Sequence, residues 1–308
     1  MTISSLPLIR WRLAQLAVHL VVALIALVVV GGATRVMEAG LACPDWPLCF
    51  GSFLPGRQMN LQVFLEWFHR LDAFLIGIAL LIQLSLSIIW KNKLPNWHLF
   101  SSLFLVFLVC IQGGLGALTV MNLLQSGVVT AHLAIGLILV ASMSGLSQRL
   151  LSTSSLISPL WWRTLSGASL FAVVAQSLLG ARMATSWAAQ SCLNSKQSCD
   201  LLYLHRNSAI PVAGLILIFA VSGLLVKGWP RSQWPFLFGI SFLVFLQMSL
   251  GFMTLSFGLS QPLITVSHQL IASLLVALLS ALAFRRPEID SSLVAEKVVK
   301  TSLEPCHG

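Results

Sequence analysis

Eight apolar stretches, each long enough to cross a bilayer, decide what this chain can fold into. They run over 13–36, 66–90, 98–121, 127–149, 162–184, 202–226, 233–256 and 263–284, and a spanning helix needs about 20 apolar residues. In hydrocarbon every backbone N–H and C=O must be satisfied inside the segment, so runs of this length read as helices. Short polar connections separate them and leave no room for a separate soluble domain. With 57% apolar and 9% charged residues, the chain lies far from the balance of a soluble domain. The expected fold class is an all-α integral membrane protein of eight transmembrane helices.

The first run follows Arg10 and Arg12 as a signal sequence would. It is too long for an h-region and lacks a small-x-small cleavage site, so it is expected to stay in the mature chain. An Arg- and Ser-rich transit peptide is missing, which favours a bacterial plasma membrane. The formal charge of +9 needs no nucleic-acid partner. Arg10 and Arg12, Lys91 and Lys93, Arg149 and Arg163, Lys227 and Arg231, and Arg285 and Arg286 fall on alternate connections. This positive-inside pattern puts both termini in the cytoplasm. The tail 287–308 is polar and mixed in charge, and reads as a cytoplasmic end in which Cys306 and His307 are idle.

The chain repeats itself. "EWFHRLDA" (66–73) aligns with "LYLHRNSA" (202–209) at an offset of 136, "QGGLGALT" (112–119) with "QMSLGFMT" (247–254) at 135, and "VVTAHLAIG" (128–136) with "ITVSHQLIA" (264–272) at 136. Each half holds four spans, and an even number keeps both in the same orientation, related by an axis along the membrane normal. Two pseudo-symmetric four-helix bundles are expected, residues 1–150 and 151–286. The connections "MNLLQSG" and "SFGLSQP" are short and uncharged, as tight antiparallel hairpins require.

His69, His132, His205 and His268 each open an even-numbered span, and both pairs are 63 residues apart. The topology places all four just below the outer surface. Ionisable residues in spans are rare and usually mark a site. Two histidines on separate helices of one bundle can hold a planar metallocofactor from both sides, and haem with its iron ligated by two imidazoles fits. Arg70 and Arg206 directly follow the first histidine of each pair and could bond anionic propionates, as could Arg35 and Arg182. A zinc site fits less well, because no Asp or Glu completes either pair. A lone histidine near a span end is ordinarily an interfacial anchor; four at matched spacing are not ordinary. His19 and His98 have no repeat partner and read as structural, His19 as buried towards the cytoplasm. Gln112 and Gln247 read as packing residues that hydrogen-bond across helices.

Cys43 and Cys49 in "ACPDWPLC", and Cys192 and Cys199 in "SCLNSKQSC", lie on the two longer outer connections, in a compartment that permits disulfides. Each pair can be a stabilising staple or a redox-active thiol pair. Cys110, inside the third span, reads as a small packing residue.

The repeat fails at one informative place. At the offset of 136, His69 matches His205 and Arg70 matches Arg206, but Glu66 matches Leu202. Glu66 and His69 are three residues apart and share a helix face. A carboxylate in a partly dry site can shuttle protons or stabilise a developing cation; the plainer reading is a helix N-terminal charge favoured by the dipole.

Over essentially its whole length the sequence resembles the heme A synthase family, in the "GLACPDWPLC" loop, "EWFHR", "TAHLAIG", "LHRNSA" and "SHQ". The resemblance implies an oxidoreductase that converts the C8 methyl of heme O to the formyl of heme A by successive hydroxylations and loss of water. It implies heme O and heme A as substrate and product between His69 and His132, and haem b between His205 and His268. It matches Glu66 to the family's catalytic carboxylate, and Cys43, Cys49, Cys192 and Cys199 to its outer-loop pairs. The implied partners are heme O, the farnesyltransferase that makes it, an electron donor and the lipid bilayer. Residues alone leave open a dihaem b-type electron-transfer protein, which explains four histidines equally well but not Glu66. A parallel-repeat transporter fits less well, since the histidines lie far from the midplane.

Overall fold

The computed structural model describes residues 7–152, 157–196, 199–226 and 231–286. Lys227, Cys306, His307 and the rest of the tail 287–308 lie outside the described residues. Nine helices are found among them: α1 (Leu8–Val36), α2 (Leu61–Ile89), α3 (Asn96–Met121), α4 (Ser126–Leu151), α5 (Leu160–Thr185), α6 (Ala188–Ser195), α7 (Asp200–Leu225), α8 (Trp234–Ser256) and α9 (Pro262–Phe284). All but α6 are long and apolar enough to cross a membrane, so the chain is a multi-pass membrane protein. The eight sequence-derived spans match them closely.

One difference has a clear cause. α2 begins five residues before the apolar run suggested, because Asn60 caps it by accepting from the Val63 N–H at 2.9 Å and satisfies a donor left open at the helix start. Glu66 therefore sits in the second turn, past the reach of a first-turn charge, which weakens the dipole reading. The longer connection 185–201 contains the eight-residue α6.

Each half closes into a ring. α1 packs on α2, α2 on α3, α3 on α4 and α4 back on α1; α5, α7, α8 and α9 repeat the circuit. The rings meet along α4 and α9, with α1 against α9 and α4 against α5 at the flanks. Exchanging the two halves maps this pattern onto itself. The seam shows the same relation at single bonds: Ser144 Oγ donates to Ala277 O, and Ser280 Oγ to Ala141 O, each at 2.6 Å. Both residues of each bond shift by 136, so the two bonds are images of one another.

Leu137, Val140, Met143, Leu275, Val276 and Leu279 fill the seam and are almost fully buried. Lipid tails are as apolar as leucine, so close packing and interhelical hydrogen bonds hold such helices together, with little hydrophobic driving force. Small residues permit the approach: a Cβ on Gly145 would meet the Phe284 ring at 2.6 Å. Phe100, Phe107, Phe171, Phe242 and Phe252 point outward and are exposed, as a lipid-facing surface requires. Cys110 is also exposed, which corrects its reading as a packing residue. His19 lies on the outward surface of α1, bonded to Gln15 O at 2.7 Å, and not in the interior. His98 is fully buried and bonded to Ser87 Oγ at 2.8 Å.

Candidate functional site

His69, His132, His205 and His268 lie within the first three turns of α2, α4, α7 and α9, so the structure brings all four to the same end of the two rings. Every one of these rings rests on a glycine of the preceding membrane helix. A Cβ would meet the imidazole Cε1 at 2.8 Å from Gly31 to His69, 3.4 Å from Gly116 to His132, 2.9 Å from Gly180 to His205, and 3.1 Å from Gly251 to His268. The contacts repeat the symmetry of the fold at the level of the site; three of them are too close for a Cβ, and at Gly116 a Cβ would be in ordinary contact.

The first pair faces across its bundle, with His69 and His132 ring centroids 6.4 Å apart. Two imidazoles bonding one metal from opposite sides, with metal–nitrogen bonds of about 2 Å, place their centroids about 6 Å apart. In the second ring, His205 and His268 occupy the corresponding positions on α7 and α9. Among the described residues, no group of three His, Cys, Asp or Glu side chains converges as a metal site would require. Spacing and the imidazole donor set fit a group ligated between the two rings, as a bis-imidazole haem is.

Glutamines reach the histidine rings, and Gln112 and Gln247 hydrogen-bond across helices as expected. Gln112 Nε2 reaches His132 Nε2, and Gln247 Nε2 reaches His268 Nε2, both at 3.3 Å. Gln176 on α5 was not anticipated: its Nε2 lies 3.2 Å from His205 Nδ1 and donates to His205 O at 2.6 Å, while Ser208 Oγ donates to its Oε1 at 2.7 Å. Gly31 and Gly180 were also missed. Aligning α1 with α5 would have superposed these two glycines and placed Leu27 opposite Gln176.

Glu66 is 5% exposed, and both its oxygens are engaged. Oε2 accepts from the Cys43 N–H at 2.8 Å, and Oε1 pairs with Arg70 Nη2 at 2.5 Å. Arg70 also donates to Asp45 O and Leu48 O, each at 2.6 Å. The carboxylate and guanidinium thus pin the loop closed by the Cys43–Cys49 disulfide onto α2, one turn before His69. Asp45 holds the loop tip by accepting from the Phe50 and Gly51 N–H groups at 2.7 Å. Cys192 and Cys199 are likewise disulfide-bonded. Leu202 takes the place of Glu66 in the second ring and is buried.

The other arginines are distributed differently from one another. Arg206 is exposed. Arg35 Nη2 donates to Ala184 O at 2.8 Å, and its guanidinium stacks 4.0 Å from the Trp187 ring. Arg182 donates to Ser126 Oγ at 2.9 Å. Each of these two reaches into the opposite half and ties the rings together at the histidine end.

A duplicated eight-helix membrane protein with one histidine pair per bundle is the class that this fold and site define. Residues 14–280 match the family described as COX15-CtaA, cytochrome oxidase assembly protein, and the chain belongs to that family. Among curated relatives it is similar to a heme A synthase of Shewanella oneidensis, 30% identical over 54% of each chain. It is similar to one of Bradyrhizobium diazoefficiens, 31% identical over 57% of each. A heme A synthase of Sphingopyxis alaskensis is 26% identical over 86% of this chain and 89% of its own. The matched stretch spans about half the length of the first two relatives.

Proposed function

We propose that this chain is a heme A synthase, an oxidoreductase that takes the C8 methyl of heme O to the formyl of heme A. Family membership and the names of its relatives support the reaction. The observation that carries it is the inequality of the two rings. Both have a histidine pair, but only the first has a buried carboxylate, Glu66, where the second has Leu202. A pair of haems that merely passed electrons would not need that difference.

In this reading residues 1–150 form the substrate half, where His69 and His132 would hold heme O. Residues 151–286 form the half in which His205 and His268 hold haem b. The bound haem and oxygen, with an electron supply, provide the oxidative chemistry. The chain positions and excludes. Gly31 lets the His69 imidazole seat against α1, and Gln112 fixes the tilt of the His132 ring. Glu66 is held by Arg70 on Oε1 and by the Cys43 N–H on Oε2, which fixes the carboxylate one turn before His69. Arg206 is exposed beside His205 and is available to an anionic propionate, whereas Arg70 is committed to Glu66 and the loop. The alternating cations place the histidine end outward, with both termini cytoplasmic, in a bacterial plasma membrane. Heme O would arrive from the farnesyltransferase that makes it, and electrons from a separate donor.

Expression in a cell that makes heme O but no heme A tests the proposal. Heme A in extracts from the wild-type chain, and none with Glu66→Gln, is the expected result. Heme O that accumulates unchanged with the wild-type chain present would refute it.

A further inference from the structure

Gln269 directly follows His268 on α9, and its side chain crosses out of the second ring into the first. Its Nε2 donates to Val28 O on α1 at 2.9 Å. The amide occupies the notch at Gly32, where a Cβ would fall well inside contact distance of Oε1. Gly31, the neighbouring residue, is the notch for His69. Two consecutive glycines of α1 therefore receive the imidazole of the first pair and the amide that adjoins the second.

This joint has no image on the opposite flank. At the offset of 136 Gln269 falls on Leu133, and the register that superposes Gly31 on Gly180 puts Gly32 on Ala181. One flank has an amide in a glycine notch bonded to a helix carbonyl; the other has an aliphatic side chain and a methyl. Consecutive residues of a helix are separated by a rise of about 1.5 Å, so whatever holds α1 at Gly32 also fixes the backbone against which His69 rests.

Resting on the reading that each histidine pair holds a haem, we infer that Gln269 is a positioning residue for the first pair, coupling the loading of the two sites through α1. α9 carries His268, so a haem bound at the second pair steadies α9, and Gln269 passes that restraint to the wall behind His69. By linkage the coupling is reciprocal: loading either site favours the other.

The test uses the full-length protein in detergent, titrated with heme B, with the two low-spin signals assigned by His69→Ala and His205→Ala. His205 lies on α7, so its removal empties the second pair without altering α9. In the chain with Gln269, His205→Ala should weaken heme B binding at the first pair about fivefold, the worth of one hydrogen bond. In a Gln269→Leu background it should have no further effect, and the first-pair resonance should shift while the second-pair resonance stays fixed. Gly32→Ala should reproduce Gln269→Leu, because the methyl expels the amide. The double variant Gly32→Ala/Gln269→Leu, which copies Ala181 and Leu133, should regain stability without regaining the coupling. Equal effects of His205→Ala with and without Gln269 would overturn the inference while leaving the haem sites in place. Heme B binding at neither pair of the wild-type chain would overturn the site reading and the inference together.

Discussion

The four glycine notches make a graded prediction. Alanine at Gly31 puts a Cβ 2.8 Å from His69 Cε1, and ordinary contact begins at 3.4 Å, so the ring must move about 0.6 Å in a close-packed site. The corresponding displacement is about 0.5 Å at Gly180, about 0.3 Å at Gly251 and nearly zero at Gly116, all against the same packing limit. Forcing an extra carbon into such a site costs about 1–3 kcal/mol, which translates into roughly a five- to 150-fold loss of affinity for whatever the rings ligate. Helix propensity acts the other way, since alanine in a helix interior is favoured over glycine by about 1 kcal/mol. Stability and ligation should therefore separate. Gly31→Ala and Gly180→Ala should melt near the wild type yet lose haem from the first and second pair respectively. Gly251→Ala should be intermediate, and Gly116→Ala should keep its haem and gain stability. Heme B titration followed at the Soret band, beside thermal unfolding, reads both quantities. Indistinguishable affinities for Gly31→Ala and Gly116→Ala would refute the view that the notches exist for the imidazoles.

Other changes should act on the loop and the seam. Glu66→Gln removes a charge-assisted bond to Arg70 and weakens that to Cys43, interactions worth about 1.5–3 kcal/mol each; the first loop should become protease-sensitive while haem at His205 and His268 is retained. Undiminished heme A output from that variant would remove Glu66 from the reaction. Ser144→Ala and Ser280→Ala should each lower stability by about 0.6–1.7 kcal/mol and by similar amounts, as images of one bond; a large difference in denaturation midpoints would contradict the symmetric seam. Reducing the Cys43–Cys49 disulfide should loosen the hold of the loop on Glu66 and slow conversion, whereas substituting Cys192 and Cys199 by serine should spare Glu66; equal slowing by both treatments would show that the loops act alike.

Much of the fold was legible because a bilayer permits few solutions. Span number and pairing followed from run length, and the repeat followed from spacings such as 63 residues between both histidine pairs. The four histidines were legible for the same reason, since a polar ring in an apolar run stands out. The glycine notches were hidden, because Gly31 and Gly180 look like any small residue in a membrane helix until a neighbour's ring is seen against them. Gln176 was missed because its reach to His205 depends on how α5 and α7 face each other. The start of α2 was misplaced by five residues because hydropathy marks where apolar residues begin, while Asn60 decides where the backbone first turns. Arg70 looked free for a propionate; its engagement by the Cys43–Cys49 loop depends on a loop conformation that spacing does not encode.

The central claim is that two similar rings do unequal work, with conversion at His69 and His132 and haem b at His205 and His268. Chromatographic identification of the haems extracted from purified wild-type, His69→Ala and His205→Ala proteins, each made with a heme O supply, tests it most directly. The wild type should yield heme B together with heme O, its hydroxylated intermediates or heme A. His69→Ala should lose the heme O-derived species and keep heme B, and His205→Ala should show depleted heme B. Heme B alone at two per chain in the wild type, or the same loss from both variants, would contradict the account.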